Sequence, residues 1–105
     1  MNRLSIYKRL ATPVAGSVVW NTPLFQGDIV SIHIKPTTAT TTYGFNILGV
    51  NGLILFDTGN RLTGEYSISG GIDSCGEIMT CGITDSSVNE EFTIEIRIRL
   101  YENVR

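Results

Sequence analysis

The fold is decided by one stretch near the carboxyl end, Phe92-Thr-Ile-Glu-Ile-Arg-Ile-Arg-Leu-Tyr101. Apolar and polar side chains alternate strictly along it, which predicts a β-strand with one face on a core and the other on water or a partner. The face predicted to be buried consists of Phe92, Ile94, Ile96, Ile98 and Leu100. The opposite face consists of Thr93, Glu95, Arg97, Arg99 and Tyr101.

Residue usage outside this stretch also favours strands. The chain has 13 isoleucines, 7 valines and 12 threonines among its 105 residues, and side chains branched at Cβ fit a pleated sheet better than a helix. A second alternating face is predicted from Val30, Ile32 and Ile34, with Ser31 and His33 on its reverse. Further strands, separated by turns rich in Gly, Asn, Asp or Pro, are predicted over residues 4–10, 17–20, 43–48, 53–56, 65–69 and 77–83.

These elements predict an all-β chain that forms one domain over residues 1–105. About eight strands fit a single antiparallel β-sandwich, of jelly-roll or Ig-like type, or a small closed barrel. Hydrophobic residues make up 42% and charged residues 17%, which excludes a disordered chain. The sequence has no apolar run long enough for a membrane span or a signal peptide. The formal net charge of −2 gives no reason to expect direct binding to nucleic acid or to a membrane surface.

The sharpest chemical motif is Asp57-Thr58-Gly59, preceded by apolar residues. It resembles the catalytic turn of aspartic proteases, in which two such carboxylates share a proton across a dimer axis, so it would imply a homodimeric enzyme. Asn60 stands where those proteases usually carry Ala or Ser. Asp, Gly and Asn are also favoured in ordinary hairpin turns. We therefore expect a turn here and keep the protease as the less favoured alternative.

The remaining candidates for chemistry are Cys75, Cys81 and His33. A zinc site needs about four ligands, and only His33 could join the two cysteines. Two buried thiols are the favoured interpretation, with a bridge across a short hairpin as the alternative. His33 is expected on the polar side of its strand. We predict that the protein is not an enzyme, with no catalytic residue, metal site or cofactor.

Two surfaces are candidate interfaces. Arg97, Arg99 and Tyr101 form the longest regular outward stripe of the sequence and are predicted to contact a partner. Acidic residues in the same stretch argue against single-stranded nucleic acid, and mixed charge also suits a solvated outer strand. Trp20 and Phe25 flank a proline turn, where they form either a partner-binding loop or a plug at one end of the sandwich.

The layout of the whole chain adds one further indication. A proline-bounded strand at 23–36 leads to a Thr-rich run at 37–42, then to a strand, glycine turn and strand over 45–57, and finally to the long strand at 91–101. This layout resembles small β-sandwich proteins of tailed-bacteriophage virions, which occur as head decoration, head–tail and tail components.

The resemblance implies a non-enzymatic virion structural protein, either a capsid decoration or cement protein or a component of the neck or tail. It implies a homo-oligomer that docks on a major capsid, neck or tail protein of the same particle, after assembly in the cytoplasm of a bacterial host. Strand addition is one way such a module docks. The rival function is a carbohydrate- or receptor-binding module, which requires an exposed aromatic platform from Tyr7, Trp20, Tyr43, Tyr66 and Tyr101.

Overall fold

The computed structural model describes residues 3–24, 26–49, 52–70, 74–75 and 78–100, and none of these residues lies in an α-helix. The described residues form ten strands: β1 (Arg3–Ala11), β2 (Val18–Leu24), β3 (Gly27–Pro36), β4 (Thr42–Leu48), β5 (Ile54–Asp57), β6 (Leu62–Thr63), β7 (Tyr66–Ser69), β8 (Ser74–Cys75), β9 (Ile78–Thr84) and β10 (Phe92–Leu100). The two-residue strands β6 and β8 were not predicted. No helix of the described chain has the length and apolar character needed to cross a membrane.

The strands form two antiparallel sheets that pack face to face. The first, here called the β1 sheet, has the order β1-β10-β3-β7, with β8 also paired to β3. The second, the β2 sheet, has the order β2-β9-β4-β5, with β6 also paired to β4. The chain passes from one sheet to the other at most of its connections, which is the jelly-roll arrangement. The predicted all-β sandwich is confirmed, and the structure is not a closed barrel.

The core lies between the sheets and confirms the predicted inward face of β10. Phe92, Ile94, Ile96 and Ile98 have no exposed surface. Aromatic side chains from β4 pack opposite them, with the ring centroids of Tyr43 and Phe92 4.9 Å apart in an edge-to-face contact.

This packing buries the side chain of Tyr43, which is 1% exposed and carries a polar hydroxyl. The hydroxyl donates a 2.6 Å hydrogen bond to the carbonyl of Gly64, so the buried group is satisfied. Burial raises the pKa of Tyr43 to about 12. The bond also ties β4 to the short segment between β6 and β7.

Strand β3 departs from the predicted alternation. Its buried aliphatic side chains are Ile29, Ile32 and Ile34, whereas Val30 is only half-buried. The pairing with β10 explains this, because Arg97 pairs with Ser31 while the next residue, Ile98, pairs with Ile29. Val30 is therefore the extra residue of a β-bulge, and the prediction that it faces the core was wrong.

Most of the Thr-rich run, residues 37–41, forms the loop that connects β3 to β4. The Glu90 carboxylate holds this loop by accepting three hydrogen bonds of 2.8 Å, from the backbone N–H and hydroxyl of Thr38 and from the hydroxyl of Thr41. Thr41 is 1% exposed, so its hydroxyl needs this partner. The bond from the Thr38 backbone is the main reason that the pKa of Glu90 lies below its ordinary value.

This arrangement predicts an acid-sensitive loop. A carboxyl whose folded pKa is lowered stabilises the fold above its unfolded pKa of about 4.3, and that contribution disappears as the pH falls through the folded value. We expect Glu90→Gln to lower the free energy of unfolding at neutral pH and to flatten its decline toward about pH 3. The matched control is Glu91→Gln, at an exposed neighbour. Urea unfolding at a series of pH values checks this; identical pH profiles for both variants and the wild type would contradict it.

Candidate functional site

The outer face of the β1 sheet carries the predicted stripe. Arg97 and Arg99 both lie there and both are exposed, while Tyr101 lies outside the described residues. The stripe is not on an outer strand, because β10 lies between β1 and β3. The interpretation of its mixed charges as belonging to an outer strand was therefore wrong. Arg97 and Arg99 instead lie on the broad face of the sheet.

Beside the stripe lies a shallow polar cleft of about 320 Å³. Its side chains come from three strands: Arg97 and Glu95 from β10, Ser31 and His33 from β3, and Ser67 and Ser69 from β7. An Arg97 guanidinium nitrogen lies 3.4 Å from a Glu95 carboxylate oxygen. His33 Nε2 lies 2.5 Å from a carboxylate oxygen of Glu65. Arg97 and His33 of the cleft thus each have a carboxylate neighbour.

The other half of this face is apolar, and it lies on the edge strand β1. Leu4, Ile6 and Leu10 are 56%, 56% and 55% exposed, and Lys8 continues their row. The row borders the polar face of β10, since Ile6 pairs with Arg97 and Lys8 with Glu95. These three aliphatic side chains and Lys8 are here called the β1 row.

The orientation of β1 is the reverse of the one that its sequence pattern favours. Leucine and isoleucine alternate there with Ser5, Tyr7 and Arg9, and the aliphatic set would ordinarily face the core. Tyr7 instead packs against the core, and the Arg9 guanidinium carbon lies 5.8 Å from the ring centroid of Trp20. The inward face is thus closed by polar and aromatic groups, while the aliphatic face remains in water. Our sequence reasoning missed this row, although its period-two pattern in residues 4–10 was available.

Strand β1 is also the longest and most regularly paired edge of the described sandwich. It has nine residues, contains no proline and pairs with β10 without a register break. The β2 edge contains Pro23 and a register break between Asn21 and Leu24. The β5 and β7 edges have four residues each. Short length, proline and irregular pairing protect an edge, and β1 has none of these three; its protection consists of the charged side chains of Lys8 and Arg9.

Trp20 lies in the core, and Phe25 lies outside the described residues. The Trp20 side chain is 6% exposed, with its ring centroid 6.5 Å from that of Phe45. The structure therefore shows Trp20 packed inside the sandwich.

The aromatic residues of the rival binding module do not form a platform in the described chain. Tyr43 is buried like Trp20, and Tyr7 and Tyr66 are half-buried against the core. Burial also raises the pKa of Tyr7. A carbohydrate site built on stacked aromatic rings therefore has no support among these four residues.

The Asp57-Thr58-Gly59 motif has the geometry of a local turn. The Asp57 carboxylate accepts a 2.9 Å hydrogen bond from the Gly59 backbone N–H. The Thr58 hydroxyl contacts both backbone groups of Phe45, and Gly59 has a φ of 68°. These contacts agree with the turn interpretation of the sequence.

Cys81 is fully buried on β9, and burial raises the pKa of its thiol to about 12. This agrees with the predicted buried thiol. The side chain of Cys75 lies outside what the structure describes. Within the described residues, no three metal-ligating side chains come together.

Comparison with known proteins supplies a similarity of fold. No model of a known protein family matches the chain, and no curated protein matches it. A chain from a solved structure of Bacillus endospore appendages, which are described as a family of disulfide-linked pili, is similar over 96% of this chain and 92% of that chain. The TM-score is 0.52 and the sequence identity is 16%. This similarity shows a shared fold.

Proposed function

We propose that the chain is a non-enzymatic structural protein that assembles with copies of itself through a sheet edge. The observation that carries this proposal is strand β1, a regular edge of nine residues flanked by the exposed β1 row. An edge strand offers unpaired N–H and C=O groups to any strand of suitable length. The row adds apolar surface beside those groups, so one partner strand would satisfy both.

The inverted pattern of β1 supports a role in contact rather than in the core alone. More than half of the surface of Leu4, Ile6 and Leu10 stays in water, so their aliphatic character stabilises the isolated sandwich only in part. Single exposed aliphatic side chains are common, but three in one row along a long, regular edge support an interaction surface. The pilus-forming protein of similar fold gives a precedent for assembly from such a sandwich.

Covalent linkage through Cys81 has no place in this proposal. The pili of the structural neighbour are described as disulfide-linked. Disulfide exchange requires an accessible thiolate, and Cys81 is fully buried with a pKa of about 12. The assembly proposed here is instead held by backbone hydrogen bonds and apolar contacts.

The finer proposal places the subunit in a tailed-phage virion, as a capsid decoration or cement protein or a neck or tail component that docks on its neighbours. The layout of the sequence supports this version, and the structural neighbour supports a surface filament as the second version. Quantitative mass spectrometry of purified particles from the source separates them. Hundreds of copies indicate lattice-wide decoration, about a dozen indicate the neck or tail, and none supports the filament.

Substitution of the exposed residue Ile6 should disrupt the assembly without disturbing the fold. Ile6→Lys adds a positive charge to the β1 row beside Lys8 and Arg97, so it should raise the dissociation constant at least about tenfold. Val19→Lys is the matched control, because Val19 is 67% exposed on the better protected β2 edge. Light scattering gives the masses, and thermal melting shows that both variants fold. Equal association of Ile6→Lys and the wild type would contradict the proposal.

A further inference from the structure

We infer that β1 pairs in antiparallel fashion with β1 of a second copy, around a twofold axis at Tyr7. This inference rests on the proposed self-assembly and deepens it by naming the partner strand and the register. It commits to an isologous interface, in which the same surface of each copy is used.

Strand length is the first argument for this partner. The β2 edge pairs regularly over only part of its seven residues, and the β5 and β7 edges have four residues each. Within the described chain, only another β1 can match β1 along all nine residues. In an antiparallel ladder about half of the residues of an edge strand direct their N–H and C=O groups outward, and full-length pairing satisfies all of them.

Charge and overlap select the register. An axis at Tyr7, the central residue of Arg3–Ala11, pairs all nine residues and places Leu4 opposite Leu10 and Ile6 opposite Lys8. An axis at Lys8 would place two ammonium groups directly opposite each other, which is destabilising. Moving the axis by one residue in either direction, to Ile6 or Lys8, also shortens the paired segment. The register centred on Tyr7 therefore gives the longest ladder and the most favourable cross-strand pairs.

The same register accounts for the inverted pattern of β1. At the interface between the two β1 strands, the β1 rows of the two copies lie side by side on one face of the sheet. Each Leu4 therefore contacts the partner's Leu10. Each Lys8 covers an Ile6 with its aliphatic stem. The two β1 sheets become one continuous sheet, and the face bearing Arg97 and Arg99 stays open on both copies for contacts with other proteins.

Cysteine cross-linking tests the register directly. In a Cys75→Ser background, Leu4→Cys and Leu10→Cys are made as separate variants, then mixed and oxidised. Directly opposite residues have Cβ atoms about 5 Å apart, within reach of a disulfide, whereas two Leu4 positions would lie six residues or roughly 20 Å apart. We expect covalent dimers in the mixture and none in either variant alone. Val19→Cys and the background chain serve as controls.

The outcomes separate this inference from the proposed function. Cross-links that form in the mixture, but not in either variant by itself, support a twofold axis at Tyr7. Cross-links that form when either variant is oxidised by itself, or no cross-links in a mixture that light scattering shows to be associated, overturn pairing around Tyr7 and leave self-assembly intact. A mixture that stays monomeric, under conditions where the wild type is also monomeric, overturns both.

Discussion

Gly64→Ala is expected to destabilise the domain by about 3 kcal/mol or more, as the sum of a backbone penalty and a broken contact. Gly64 has a φ of 68°, a conformation that costs other residues about 1–2 kcal/mol. A Cβ atom there would also lie only 2.5 Å from the backbone carbonyl oxygen of Ala39. Relieving that clash displaces the Gly64 carbonyl, which accepts the hydrogen bond of the buried Tyr43 hydroxyl.

Gly70→Ala isolates the backbone penalty. Gly70 has a φ of 76°, and no atom lies within 4 Å of the position of its added Cβ. We expect this variant to lose only about 1 kcal/mol, so urea unfolding should separate the two variants by about 2 kcal/mol. If the two variants lost the same free energy of unfolding, the close approach of Gly64 to the Ala39 backbone would have no energetic role.

The second large effect is expected for Ile96→Ala, at about 3–4 kcal/mol. Ile96 is 0% exposed at the middle of β10, where it pairs with Tyr7 on one side and Ile32 on the other. Truncation leaves a cavity in the core. Because β10 is hydrogen-bonded to a strand on each side, it cannot move far enough to fill that cavity. For a domain of this size, the loss corresponds to a fall in Tm of about 15 °C.

The control for Ile96→Ala is the same chemical change at an exposed site. Ile78 is 52% exposed at the start of β9, so Ile78→Ala should change stability by less than about 1 kcal/mol. Thermal melting of the two variants gives the comparison. Similar melting temperatures would mean that the region between the sheets is not the main source of stability.

The sequence pattern predicted the face of β10 correctly because that strand is central. Both neighbours and the opposite sheet constrain its inward side, so Phe92, Ile94, Ile96 and Ile98 have no alternative to burial. Alternation failed at Val30, because a bulge depends on how β3 pairs with β10 and leaves no mark within β3 itself.

The candidate site was harder to predict, because it depends on strand order. A period-two pattern divides a strand into two faces but does not say whether the strand is central or at an edge. Arg97 and Arg99 were therefore placed on the correct face of a strand taken to be outer, while the true edge, β1, was not recognised. At that edge Tyr7 and Arg9 can close the core over Trp20, which frees Leu4 and Ile6 to face outward.

The central claim is that this sandwich assembles with itself, and its most direct test is the molar mass of the unmodified chain in solution. Multi-angle light scattering over a range of concentrations, under reducing conditions, gives that mass without labels or variants. The account predicts a mass that rises above the 11.5 kDa of one chain to at least twice that value, without any disulfide. A mass that stays at 11.5 kDa over the whole range would contradict it.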